Sequence, residues 1–449
     1  SWVFDRAYAA SFPTLPHRQD VLNGRYGGPF HGWGPLGYDQ PTMPRALAEA
    51  GYATQLIHDT PHLINNGNGY DVPFQAWTFI RGGEVDRPWI DDSADPYLPN
   101  WGRDKVFDFL GDPTLAEDPN HYIRTYVRAN RGRRRHEQWN AARLFRTAAD
   151  FLRDNARREK LLLWVDSFDP HEPWDAPPEY VLMYDDTPGY DGRIDPRGLV
   201  GQGRGNLTPE AARGIAAWYA AKVTWVDRWL GEVLLALDET GLSEETALIL
   251  TSDHGTNVGP AEGFGKRFPV GESVAHVPLM IRAPGRGVGR CDAWAQPQDI
   301  TATMLALAGL EPPADLPGED LLKVAAAGDG RRELALTGRP LQSTFEVEPE
   351  AKTLFTVFAD DWCLQWAADP ADCHLVSLGD GKDVAAEHPR LVEDLWRRGL
   401  DGLLARGVPE PVADWLRARG RGDFPADACE PITPPGYNGG YWAFSMRQW

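Results

Sequence analysis

The chain has 449 residues and a formal charge of −20 at pH 7, an acidity that argues against nucleic acid and anionic membrane surfaces as partners but leaves room for a small anionic substrate. Its 42% hydrophobic content and 18 Trp supply ample core material, so disorder is not the default, and no run of about 18 apolar residues marks a membrane span. The four cysteines, Cys291, Cys363, Cys373 and Cys429, include no Cys-x-x-Cys pair, which disfavours a cysteine zinc site and a disulfide scaffold; they read as free thiols, with a Cys363–Cys373 bridge as the alternative.

In chain order, the opening "SWVFDRA" reads as helix-like and holds Asp5. In "TLPHRQDVLNGR", Thr14 is expected to cap a helix, with Pro16 in its first turn and Gly24 at its end. "PRALAEAG" (Pro44–Gly51) starts with Pro and stops at Gly, as short helices do. Apolar runs with little alternation, "YATQLI" (Tyr52–Ile57), "LLLWVD" (Leu161–Asp166), "TALILT" (Thr246–Thr251) and "VPLMIR" (Val277–Arg282), read as strands covered on both faces. The basic segment Asn130–Lys160 carries an apolar stripe of Leu144, Phe145, Ala148, Phe151 and Leu152. It therefore reads as a solvated amphipathic helix, not a nucleic-acid surface, in spite of the run Arg131–Arg135. Thr208 to Gly241 reads as a long helix capped by Thr208, packing through Ile215, Trp218, Tyr219, Val223 and Val226.

Strands alternating with helices predict an α/β fold with a large mixed, mostly parallel sheet sandwiched by helices, over residues 1–315. Residues 316–449 predict a small α+β unit: a connector, a strand–turn–strand over Leu354–Ala367, an amphipathic helix over Pro389–Gly407, and an irregular Pro/Gly/aromatic tail.

The chemistry gathers in the loops at the strand ends. "YATQLI" leads into His58, Asp59 and His62; "LLLWVD" into Asp169 and His171; "TALILT" into Asp253, His254 and Asn257. Ligands of open parallel sheets bind at the carboxyl ends of strands, so three segments are expected to bring His and Asp to one rim. Asp253 and His254 have the donor types of a divalent cation site. Lys266 lies one glycine-rich loop later. Thr14 stands at a helix N-terminus, which suits an oxyanion, and Arg18 follows one turn on, with the planar fork that best grips sulfate or phosphate oxygens. A hydroxyl, an anion clamp and a metal pair are the parts of a metal-assisted ester hydrolase.

With these segments in order, the chain resembles the sulfatase family of the alkaline-phosphatase-like superfamily. "SFPTLPHRQDVLNGR" is similar to its Cys/Ser-x-Pro-x-Arg signature, "GYATQLI" with the following His to the strand before its Lys-x-His, "DPHEPW" to its substrate-side histidine segment, and "LILTSDHGTNVGPAEGFGK" to its second metal segment with the catalytic lysine. "HVPLMIRAPG" and "QPQDITATMLALAGL" are similar to the strand and helix that come next in the family. The resemblance spans residues 1–312. It implies Thr14 as nucleophile and metal contact, Arg18 as holder of the nucleophile and the anion, and Asp253 and His254 as metal ligands. It further implies that Lys266 neutralises substrate oxygens, that His171 contacts the anion or protonates the leaving group, and that His62 replaces the Lys-x-His histidine. Asp59, beside His62, is counted with the substrate-binding residues.

Two departures qualify the resemblance. Sulfatases oxidise their Cys or Ser to formylglycine; the same oxidation of Thr14 would give a ketone, so Thr14 is expected to attack as its own alkoxide. The family also places an Asp pair on a strand well before the nucleophile, whereas thirteen residues precede Thr14 here. The remaining ligands are therefore expected upstream of Ser1, or the metal site is incomplete. The resemblance implies one divalent cation (Mn²⁺, Zn²⁺ or Ca²⁺) and a small anionic ester as substrate. The expected activity is hydrolysis of sulfuric or phosphoric esters. The alternatives are a phosphodiesterase or phosphonate-type hydrolase, and a catalytically inactive sulfatase-like binding protein.

Overall fold

The computed structural model describes residues 1–28, 32–84, 86, 88, 98–101, 121–194, 208–259, 263–266, 268–339, 352–379, 381–425 and 428. The tail after 430 and Cys429 lie outside them. In chain order the elements are β1 (Trp2–Ala7), α1 (Thr14–Asn23), α2 (Met43–Glu49), β2 (Ala53–His58), β3 (Ala76–Phe79), α3 (His121–Asn130), α4 (Asn140–Asp154), β4 (Leu161–Asp166), α5 (Pro178–Val181), α6 (Pro209–Glu239), β5 (Leu248–Thr251), β6 (Asn257–Gly259), β7 (Gly263–Gly265) and α7 (Glu272–Ala275). They continue with β8 (Leu279–Arg282), β9 (Gly289–Ala295), α8 (Pro297–Leu307), α9 (Leu321–Ala327), β10 (Ala335–Thr337), β11 (Thr353–Ala359), β12 (Trp362–Ala367), β13 (His374–Ser377), α10 (Pro389–Leu404) and α11 (Glu410–Arg417).

The described residues group into two compact units: one of Ser1–Ala46, Thr246–Thr256 and those from Lys266 onward, the other of Leu47–Glu245 and Asn257–Gly265. This differs from the division expected at residue 315, and the packing shows why. Tyr8 and Phe12 share a buried cluster with Ala335, Phe358 and Cys363, and Thr337 donates its hydroxyl hydrogen to the Ala9 carbonyl. The C-terminal elements thus complete the core under the Thr14 segment.

In the first unit a four-stranded sheet runs in the order β5-β8-β1-β9. Asp5 lies on β1, not in a helix, because β1 pairs antiparallel with β8 and parallel with β9; its carboxylate meets Arg290 of β9. The antiparallel sheet β10-β11-β12-β13 turns at Asp360, whose φ of 51° is the left-handed region. Helix α10 covers this sheet with Trp396 stacked on Trp366, ring centroids 5.6 Å apart. Gly399 permits that closeness, since a Cβ there would meet Val357 at 2.8 Å and Trp366 at 2.9 Å. Cys291, Cys363 and Cys373 are buried and not joined in a disulfide.

In the second unit a parallel sheet runs β3-β2-β4. The expected stripe of α4 is buried at Leu144, Phe145, Ala148 and Leu152, packing with Trp225 and Trp229 of α6 in one core cluster. Thr208 caps α6 as expected, its hydroxyl accepting the Ala211 amide at 3.2 Å. One residue of the basic run departs from the solvated reading: Arg133 is buried.

Only two of the three polar-tipped strands share a sheet. His58 ending β2 sits in register with Asp166 ending β4, so their following loops leave the same edge. β5 belongs to the first unit's sheet and runs antiparallel to β8, so the shared edge is observed for the β2 and β4 segments.

Candidate active site

In the first unit, α1 begins at Thr14 itself; Pro13 is its N-cap and no side chain caps it. The capping role expected of Thr14 is therefore corrected: Thr14 is the first helical residue. Its carbonyl accepts a hydrogen bond from Arg18 Nη1 at 3.0 Å, one turn on. Gly24 ends the helix at φ 67°, as expected, where a Cβ would strike Leu316 at 2.7 Å.

The same Nη1 of Arg18 lies 2.7 Å from Asp253 Oδ2. One guanidinium nitrogen therefore ties Thr14 to Asp253, which lies 235 residues beyond Arg18. Burial opposes the charge of Asp253, yet His254, Arg18 and His17 together hold its carboxyl far below the usual carboxylate range. His17 is a residue that sequence reasoning misses, although it sits inside the Thr-x-Pro-x-Arg segment.

The Asp253–His254 turn is built by Gly255. Its amide donates to the Val274 carbonyl at 2.7 Å, and a Cβ would lie 2.2 Å from the Ser273 carbonyl; only glycine fits against α7. His254 Nδ1 sits 2.7 Å from the Gly255 carbonyl, which makes Nδ1 the hydrogen donor and Nε2 the atom that would ligate a cation when the ring is neutral. That Nε2 is 3.7 Å from Asp253 Oδ2. Two donors on one cation, with bonds of about 2 to 2.5 Å, lie roughly 3 to 4 Å apart, so this pair fits two positions of a divalent site. No larger metal-binding group of His, Cys, Asp or Glu occurs among the described residues. Lys266 is half-buried in the same unit, directly after β7.

A latch that the sequence does not announce holds the Thr14 segment closed. Buried Asp20 accepts from the Ser11 amide at 2.9 Å, the Ser11 hydroxyl at 3.0 Å and the Gly27 amide at 2.6 Å. Burial nonetheless pushes its carboxyl up to about 6.

In the second unit, the loops after β2 and β4 interlock. Asp59 is fully buried, and its Oδ1 accepts the Phe168 amide at 2.5 Å. Phe168 stacks on His171 with centroids 4.1 Å apart and meets the His62 ring edge-on at 5.6 Å. His58 is also buried, its Nδ1 3.1 Å from the Thr60 carbonyl. His171 Nδ1 lies 2.8 Å from the Glu172 carbonyl, 3.1 Å from Glu172 Oε2 and 3.4 Å from Glu84 Oε2. Its Nδ1 hydrogen therefore faces these oxygens. Burial, then the neighbouring Asp169, push the Asp59 carboxyl well above its ordinary value. Asn257, on β6, is buried in this unit.

Residues 1–310 match the sulfatase family model. The chain belongs to the sulfatase family. It is similar to the uncharacterized sulfatase YidJ of Escherichia coli, 29% identical over 72% of this chain and 63% of that one. It is also similar to an N-acetylglucosamine-6-O-sulfatase of Bacteroides thetaiotaomicron, 25% identical over 72% of this chain and 64% of that one. The chain thus spans less than two thirds of the length of these relatives. Its fold is similar to that of a phosphonate monoester hydrolase from Silicibacter pomeroyi: TM-score 0.67, 23% identity, covering 90% of this chain and 88% of that one. Among the described residues no helix is long and apolar enough to cross a membrane.

Proposed function

We propose that this sulfatase-family chain hydrolyses sulfuric or phosphoric esters with Thr14 as the direct nucleophile. The observation that carries the reading is the shared nitrogen of Arg18, which ties the start of α1 to Asp253 while His254 Nε2 stands 3.7 Å from the same carboxylate oxygen. Asp253 and His254 would supply two donors to a divalent cation. When bound, the cation makes the Thr14 hydroxyl easier to ionise and neutralises ester oxygens. Arg18, one turn into α1, holds a tetrahedral anion through its planar fork, and Lys266 adds charge to the same oxygens. Thr14 loses its proton to solvent, and its Oγ bonds to sulfur or phosphorus as the leaving oxygen departs. His171 gives that oxygen a proton from Nε2, with Nδ1–H held on the Glu172 and Glu84 side, and His62 and Asp59 serve the same loop. Water then cleaves the threonine ester.

A threonine ester must be removed by hydrolysis, which phosphoenzymes do routinely. We therefore place phosphoric and phosphonic monoesters or diesters ahead of sulfates. The name of the Bacteroides relative makes a sugar hydroxyl the first leaving group to try, offered as its sulfate or phosphate ester. The Arg18–Asp253 contact also suits a second reading, an inactive anion-binding protein in which the guanidinium takes the cation's place on the carboxylate.

The test is Thr14→Gly against Thr14→Ser, on aryl sulfate, phosphomonoester, phosphodiester and phosphonate substrates with Mn²⁺, Zn²⁺ or Ca²⁺ added. The Thr14 hydroxyl caps nothing but the side chain is buried, so glycine should cost stability about 1–2 kcal/mol through helix propensity and the lost methyl while turnover collapses; serine should retain turnover. Mass spectrometry of the quenched enzyme should find unoxidised threonine carrying the phosphoryl or sulfuryl group. Wild-type rates in Thr14→Gly would overturn the nucleophile assignment. Anion binding without turnover on every substrate would select the second reading.

A further inference from the structure

Lys222 is a lysine in the middle of the apolar face of α6, and its side chain is only 1% exposed. Its Nζ lies 2.9 Å from Asp169 Oδ1 and 2.9 Å from Asp175 Oδ1. Those two aspartates bracket His171, two residues after one and four before the other. One ammonium thus closes the segment Asp169–Asp175 into a ring with His171 on its arc. Asp175 is fully buried and is secured from behind by the Tyr126 hydroxyl at 2.8 Å and by Arg133. The near end of the arc is fixed through Asp59, which holds the Phe168 amide, and through the Ser167 hydroxyl on the Asp169 carbonyl at 3.0 Å. A charge taken out of water at this depth is sustained only by close, well-placed partners, so the ammonium fixes where both carboxylates sit.

We infer that Lys222 is a positioning residue for His171: it acts through Asp169 and Asp175 to hold the imidazole in the orientation that presents Nε2 to the leaving oxygen. This rests on the hydrolase reading above for its catalytic consequence, though not for its structural one.

The experiment uses the full chain. Lys222→Met alone leaves two buried carboxylates opposed only by Arg133, so it is made together with Asp169→Asn, which keeps the charge balance and the Asp175–Arg133 pair. Asp169→Asn alone is the second variant; it loosens the tether to the loop while Lys222 keeps Asp175. The first readout is the ¹⁵N–¹H imidazole spectrum, with the His171 signals assigned by His171→Gln. Both variants should shift or broaden the His171 signals and leave those of His374, an exposed histidine in the other unit, in place. The second readout compares esters of phenol and 4-nitrophenol. A misplaced proton donor should lower kcat about 10²-fold on the phenyl ester and much less on the nitrophenyl ester, with KM little changed. Adding His171→Gln should cause no further loss, since the two changes break one function.

Unmoved His171 signals in both variants would overturn the inference. So would a rate loss equal for both leaving groups and additive with His171→Gln. If the wild type hydrolyses none of the esters, the hydrolase reading fails and the imidazole spectrum alone decides whether Lys222 positions His171.

Discussion

The Thr14 segment and the His171 loop are organised by different physics. The Thr14 segment is held mostly by neutral donors on one carboxylate, Asp20, and by one guanidinium that serves both a carbonyl and Asp253. The His171 loop is held by a buried lattice of charges: Asp169, Asp175, Lys222 and Arg133. Fixing a loop with buried ions gives precision at a high desolvation cost, and the lattice tolerates no missing member. A helix start fixed mainly by hydrogen bonds commits one guanidinium nitrogen, Arg18 Nη1, to its own two partners. The ionic lattice suits a group that must stay put, and the hydrogen-bonded helix start suits groups that must meet a substrate.

The largest break in this comparison is Arg133→Met. Arg133 also lies over the Trp139 ring at 4.2 Å, and its loss leaves Asp175 with the Lys222 ammonium and the Tyr126 hydroxyl. Unfolding in urea should show a loss of about 3–5 kcal/mol, the cost of breaking a buried pair from one side. A loss below about 1 kcal/mol would show that the lattice relaxes around its gap and is no more demanding than the Thr14 side.

Arg18→Lys sharpens the other half. Lysine keeps a charge near Asp253, so the fold should hold, but a point charge cannot bond the Thr14 carbonyl, Asp253 and a planar face of an anion together. Turnover on the best ester should fall about 10²- to 10³-fold, as when one preorganised donor to a developing oxyanion is removed. Unchanged turnover would take Arg18 out of the mechanism and leave it the ion-pair partner of Asp253.

The contrast also explains how much of the molecule is legible in its sequence. Local patterns carry through: the Thr-x-Pro-x-Arg segment, the Asp-His-Gly turn, the Thr208 cap, the apolar stripe of α4 and the hairpin at Asp360 each depend on residues a few positions apart. Local reading fails where the deciding partner is distant. Asp5 looks helical because its neighbours β8 and β9 lie some 280 residues on. Arg133 looks solvated because Asp175 is 42 residues away. Lys222 hides in the same way, although a lone lysine at helical spacing from Trp218, Trp225 and Trp229 is a signal that some acid must meet it; Val223, expected on that face, is exposed. Thr14 looks like a cap because Thr followed by Pro resembles one; the helix starts one residue earlier than that pattern implies, with Pro13 in the cap position.

Asp20 offers the smallest and most discriminating test. Three donors favour its charged form, yet burial outweighs them and raises its carboxyl from 3.8 to about 6. A carboxyl raised in the folded state stabilises the fold most below its unfolded value, and that contribution is lost as pH rises through the folded one. Asp20 should therefore cost the wild type on the order of 3 kcal/mol between about pH 4 and pH 7. Asparagine has no such titration, and it turns one N–H toward a donor. Wild type should thus exceed Asp20→Asn in stability at pH 4, and the margin should narrow toward pH 7. Urea titrations of both proteins across that range read the difference, in which every other carboxyl cancels. A margin that widens with pH would mean that the Ser11 and Gly27 donors outweigh burial, making Asp20 a true anion holding the Thr14 segment, in closer kinship with the ionic lattice around His171 than its hydrogen-bond pattern indicates.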